Sequence, residues 1–231
     1  MSFTLRSALL ATVLLSTQAA ATEFSFLAGN PAPEAFGNSF SQTLNGLTAT
    51  ATAVSTLGKK DADPYETAEL EIYSGIGMGV CNRSEGLNCS NSGNMHALDN
   101  DGGIDLILFR FSSSVRLNSL TLLQLGGDSD LSLWAGTGSQ SLADLKTSSL
   151  GRTTLADNTS RIDDIKTVNL SVLTGTYDWL AISARLTHKD DFALLRTLNV
   201  QTVATPVPEA DTWTLLLAGL GLVGFAVRRR T

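Results

Sequence analysis

Leu47-Thr48-Ala49-Thr50-Ala51-Thr52-Ala53-Val54 alternates small apolar residues with threonine. A period of two gives a strand one dry and one wet face, whereas on a helix the same residues would scatter around the axis. Ala49, Ala51 and Ala53 are therefore expected to turn inward and the threonines to face water. Ala68, Leu70 and Ile72 alternate in the same way with Thr67, Glu69 and Glu71, which assigns both carboxylates to a wet face. Ile104 to Phe111 is nearly continuously apolar and predicts a central strand covered on both faces. Leu120–Leu123, Leu131–Trp134, Trp179–Ile182 and Phe192–Val203 extend the series. Turn-forming clusters separate them, as at Gly126-Gly127-Asp128 and Ser90-Asn91-Ser92-Gly93-Asn94. Helical periodicity is weak throughout this region, with one short turn expected at Leu142–Leu145, and no fixed-period repeat appears. The pattern predicts an all-β domain, a single antiparallel β-sandwich of jelly-roll type, over residues 22–205.

The two ends read differently. Residues 1–21 have a basic n-region (Arg6), an apolar stretch from Ala8 to Leu15 and the small residues Ala19-Ala20-Ala21. These are the parts of a secretory signal peptide, which places the mature N-terminus at Thr22. Residues 206–231 begin with the polar segment Val207-Pro208-Glu209-Ala210-Asp211. An uncharged apolar run from Trp213 to Val227 follows, and Arg228, Arg229 and Arg230 close it. An apolar run stopped by an arginine cluster is a stop-transfer arrangement, so a transmembrane helix is expected over 212–227 with the arginines on the cytoplasmic side.

This order of parts resembles the PEP-CTERM sorting signal, in which a Pro-Glu-Pro motif, an apolar helix and a basic terminus are recognised by the membrane protease exosortase. Tails of this type are also named after the C-terminal domain of ice-binding proteins. Val207, Pro208 and Glu209 match the motif, and Ala210 stands where its second proline usually is. A middle segment resembles a group of exosortase-dependent surface proteins. It contains Gly77-Met78-Gly79-Val80-Cys81-Asn82, His96-Ala97-Leu98-Asp99-Asn100, Asp105 to Phe111 and Asp128 to Ser132. The resemblance implies an exported protein, cut by signal peptidase and exosortase. Its precursor would be anchored in the inner membrane with a periplasmic ectodomain, and the product would reach the cell surface or matrix, associated with exopolysaccharide. No enzymatic activity comes with it.

Composition narrows the partners. With both ends set aside the domain holds 12 basic against 20 acidic residues, so it has no electrostatic footprint for nucleic acid. Cys81 and Cys89 are the only cysteines, and in an exported chain a disulfide between them is expected. Asp99, Asp101 and Asp105, with Asp128 and Asp130, offer oxygen ligands to calcium, although the EF-hand spacing fails: Arg110 occupies the position of the bidentate Glu. A calcium-stapled loop and a strand-entry turn with Asp and Asn caps both remain open, and no other cofactor is expected. Of catalytic motifs there is little. His96 and His188 are the only histidines, and Asp163-Asp164 and Asp190-Asp191 read as solvated turn charges. A secreted hydrolase lacks its constellation. Carbohydrate binding by a jelly-roll is the alternative reading, with Trp134, Trp179 and Tyr177 as candidate exposed aromatics. The Thr48, Thr50, Thr52 row is one strand face, too little for an ice-ordering array.

Overall fold

The computed structural model describes residues 20–27, 34–35, 37–56, 65–85, 96–100, 102–125, 129–139, 153–155, 164–184, 191–203 and 210–229. Residues 20–203 form one compact unit, and the C-terminal helix belongs to a second, described by itself. The strands are β1 (Ala21–Ser25), β2 (Glu34–Ala35), β3 (Ser39–Leu44), β4 (Leu47–Thr56), β5 (Tyr65–Thr67), β6 (Glu69–Tyr73), β7 (Gly77–Cys81) and β8 (Leu98–Asp99). The series continues with β9 (Asp105–Gln124), β10 (Leu131–Gly136), β11 (Thr153–Leu155), β12 (Ile165–Asn169), β13 (Tyr177–Ala184) and β14 (Phe192–Thr202), and the helix is α1 (Ala210–Arg228).

The all-β, antiparallel expectation holds, but the strands join one 14-stranded hydrogen-bonded sheet rather than two separate ones. The cause is β9, 20 residues long. Its first half lies between β4 and β13, with Ile107 opposite both Ala53 and Ile182. Its second half lies between β12 and β14, with Leu120 opposite both Val168 and Leu198. One strand thus serves two sets of partners and links them into one sheet. Register shifts on β14 and β13 accommodate this arrangement.

Alternation on β9 sorts the core into two. Ile107 and Phe109 point into the main cluster, with Phe24, Phe26, Leu70, Ile72, Leu180 and Leu198. Leu106 and Leu108 point the other way, into a smaller cluster with Val54, Trp134, Trp179 and Ala181. The apolar run at 104–111 is therefore dry on both faces, as its composition predicts. In β4 the alternation also reads true: Ala49, Ala51 and Ala53 are buried, while Thr48, Thr50 and Thr52 face outward. Their hydroxyls are engaged across the hairpin, Thr50 with Ser41 and Thr48 with Thr43, each at 2.8 Å. The hairpin turns at Asn45-Gly46, both with positive φ (52° and 76°), the backbone a tight two-residue turn demands.

Burial corrects one expectation and decides against the exposed aromatics of the carbohydrate-binding alternative. Glu71, assigned to the wet face, is 1% exposed because Tyr73 and His96 cover that side of β6. Trp134 and Trp179 are buried, not exposed, and the Trp179 ring occupies the space a Cβ at Gly136 would need. The short turn expected at 142–145 lies outside the described residues.

Helix α1 covers the expected apolar run. Leu215, Leu216 and Leu217 are consecutive and all exposed, so the helix is apolar around its circumference. Yet among the described residues no helix is long and apolar enough to cross a membrane. The uncharged stretch 213–227 rises only about 22 Å at about 1.5 Å per residue, short of a hydrocarbon core about 30 Å thick. At its end the Arg229 guanidinium lies 5.8 Å from the Phe225 ring centroid.

Candidate functional site

Titratable side chains of the compact unit gather where β6, β7, the 96–98 segment and the start of β9 meet. Asn82, just past β7, organises the centre. Its Oδ1 accepts from Ser84 N at 2.9 Å, and its own N–H donates to Glu85 Oε2 at 2.9 Å. This reciprocal arrangement is a capping box on the single 3-10 turn Arg83–Glu85. Asn82 Nδ2 then donates to Asp105 Oδ1 at 3.1 Å, tying the turn to the first residue of β9.

Glu85 carries the network onward, its Oε1 3.4 Å from His96 Nδ1. The His96 backbone N–H donates to the Tyr73 hydroxyl at 2.7 Å, and Tyr73 donates to Glu71 Oε2 through a short hydrogen bond. The 96–98 segment approaches β7 so closely that a Cβ at Gly79 would fall on the His96 carbonyl oxygen. Only glycine lets these two backbones meet.

Burial sets the electrostatics. Desolvation holds the Glu71 carboxyl above its ordinary range, with the Tyr73 hydrogen bond pulling partly back. Tyr73 is pushed up by burial and by its bond to Glu71. Asp105, fully buried, is held well above its ordinary range by desolvation first, then by the negative charges of Asp99 and Glu85. Glu71 Oε1 and Asp105 Oδ2 are buried without a hydrogen-bond partner. Burial therefore favours the protonated form of both carboxyls relative to exposed ones.

The network is poorly suited to a metal. The donor atoms of Glu71, Cys81 and His96 lie within 4.8 Å of one another. The described residues include no free cysteine, however, and without a thiolate two donors remain where a structural zinc takes four. Glu71, His96 and Asp105 are at most 4% exposed.

Of the calcium candidates, Asp99 and Asp105 are near enough to raise each other's cost, and Glu85 and Asn82 join them, which the sequence reading left out. The Asp130 N–H donates to Asp191 Oδ1 at 2.9 Å, and Asp191, which precedes the Phe192 that pairs with Asp99, is buried rather than a solvated turn charge. Among the described residues Asp99, Asp105 and Asp130 do not form a three-carboxylate group within 4.8 Å. Asp101 and Asp128 lie outside the described residues, as do Cys89 of the expected disulfide, the motif residues Val207, Pro208 and Glu209, and Arg230. Arg228 ends α1. Asn82 and Glu85 had a readable signal: Asn-x-x-Glu is the capping-box spacing.

No curated protein matches the chain. Among protein families, the PEP-CTERM protein-sorting motif matches residues 206–230, the segment that contains α1. The match is confined to this tail: the chain carries a PEP-CTERM protein-sorting motif after a β domain.

Proposed function

We propose that this is an exported, non-enzymatic surface or extracellular-matrix protein, processed by signal peptidase and exosortase and associated with exopolysaccharide. The observation that carries the reading is the sorting motif at 206–230 behind a compact β unit. The tail holds the precursor at the inner membrane: a helix apolar on all sides belongs in an apolar medium. Its shortness is offset by the long stems of Arg228, Arg229 and Arg230, which reach from the hydrocarbon edge into the headgroups. Export would carry Cys81 and Cys89 into an oxidising compartment and close the disulfide between them. The burial of Glu71, His96 and Asp105 in structural hydrogen bonds supports a non-catalytic role for those groups. Deleting exosortase in the producing cell is expected to leave the uncleaved precursor in the inner-membrane fraction. Release at the normal rate in that strain would overturn the reading.

A further inference from the structure

A groove of about 500 Å³ opens where the second half of β9 meets β12, β14 and the 170–175 turn. Its lining includes Arg116, Asn118, Asn169, Ser171, Thr174 and Gln201, and it contains no carboxylate. In a domain with 20 acidic against 12 basic residues, that makes the groove a local exception.

Two of its amides are held in place. The side-chain amides of Asn118 and Asn199 are paired at 2.8 Å, which leaves each amide one further polar atom for a ligand. Asn169 Oδ1 accepts from Ser171 N at 2.8 Å, which leaves its NH2 as a donor. The wall behind is rigid: Gly175 N–H donates to the Tyr177 hydroxyl at 3.1 Å, and a Cβ at Gly175 would press on that ring. Arg116 is exposed and, among the described residues, makes no salt bridge. Other arginines are engaged: Arg83 with Glu66 at 3.6 Å, and Arg196 with the carbonyls of Gly75 and Ile76.

We infer that this groove binds an acidic saccharide, with a uronate carboxylate on Arg116 and ring hydroxyls on Asn118 and Asn169. A planar guanidinium without a protein partner matches a carboxylate with two parallel hydrogen bonds. The Asn169 NH2, fixed as a donor, and the remaining polar atom of the Asn118 amide match hydroxyls, each of which both gives and takes a hydrogen bond. The inference rests on the proposed association with polysaccharide and gives it a place on the molecule. It also moves sugar recognition away from Trp134 and Trp179, which are buried.

The test is calorimetric titration of the purified full chain in detergent with an oligogalacturonate and with a neutral glucan oligosaccharide of equal length. The uronate is expected to bind at least tenfold more tightly than the glucan. Arg116→Ala should weaken uronate binding roughly tenfold, the scale of one charge-assisted contact. Arg116→Lys should fall between the two, and Arg83→Ala should match the wild type. Absent uronate binding, an undiminished Arg116→Ala, or an equal loss in Arg83→Ala would each overturn the inference. Because this assay needs no exosortase, its failure is separable from failure of the sorting proposal.

Discussion

The tail and the buried network at the start of β9 are both built from a few charged residues, yet they carry information in opposite ways. In the tail, order along the chain is the message: Val207-Pro208-Glu209, then an apolar helix, then arginines, with no distant residue needed to complete it. In the network, neighbours come from far apart. Glu71, Tyr73, Asn82, Glu85, His96 and Asp105 meet only because β6, β7, the 96–98 segment and β9 fold together. A linear signal survives unfolding of the domain beside it; a network of this kind does not. Each prediction below tries to break that contrast.

The largest effect is expected in the tail. A carboxylate recognised at the mouth of a membrane protease needs a specific partner, since an unpaired charge there costs several kcal/mol. Glu209→Ala should therefore abolish the precursor-to-mature shift on a gel, whereas Ala210→Pro should preserve or improve it. Normal processing of Glu209→Ala would reduce the tail to a membrane anchor.

The converse probe is the core. Phe109 is fully buried and its ring lies 5.6 Å from that of Phe26. Phe109→Ala should lower the stability of the domain by about 3–5 kcal/mol in urea unfolding. If the tail is read linearly, the same variant should still be cleaved. Loss of cleavage together with loss of fold would show that exosortase reads the folded domain as well.

How much was legible follows the same division. The strands could be read because burial on one face leaves a period of two, as in β4, and burial on both leaves a continuous run, as at 104–111. The passage of β9 from one set of partners to another was not legible, because Ser112, Ser113 and Ser114 interrupt the apolar run and the second half alternates polar with apolar residues, so the stretch reads as two strands rather than one. Glu71 shows why the network stayed hidden. Alternation places residues on faces of a strand but does not say whether a face is wet, and Tyr73 and the 96–98 segment cover it from outside. The Arg116 groove was equally out of reach, because Asn118 and Asn169 have no local signature until Asn199 and Ser171 fix their amides.

A smaller loss tests the network at its tightest point. Gly79→Ala puts a methyl on the His96 carbonyl, and backbone on both sides must move. The expected cost is about 1–3 kcal/mol, measured by urea unfolding at fixed pH. An unchanged midpoint would mean that the 96–98 segment is free to retreat, and that the network is looser than its hydrogen bonds describe.

The smallest effects are in the pH dependence, where two aspartates should act with opposite sign. Asp105 is held well above its ordinary 3.8 by burial and by Asp99 and Glu85. The folded chain then keeps this proton more tightly than the unfolded one. Its contribution is fully present below pH 3.8 and is lost as pH rises through the folded value. Asp178 is the reverse. Ser114 Oγ donates to it at 2.5 Å and the Gly138 N–H at 2.6 Å, which pulls its carboxyl below 3.8. Its contribution is present above 3.8 and is lost as pH falls through the lower folded value. Asp105→Asn keeps the Asn82 hydrogen bond and removes the buried charge, so it should raise Tm near neutrality and flatten the decline toward alkaline pH. Asp178→Asn should leave that limb alone and shift only the acid limb, by less, because Asp178 is more open to solvent. Melting curves of the two variants from acid to alkaline pH decide the matter. Two variants moving the same limb would show that the network and the surface aspartate are not independent.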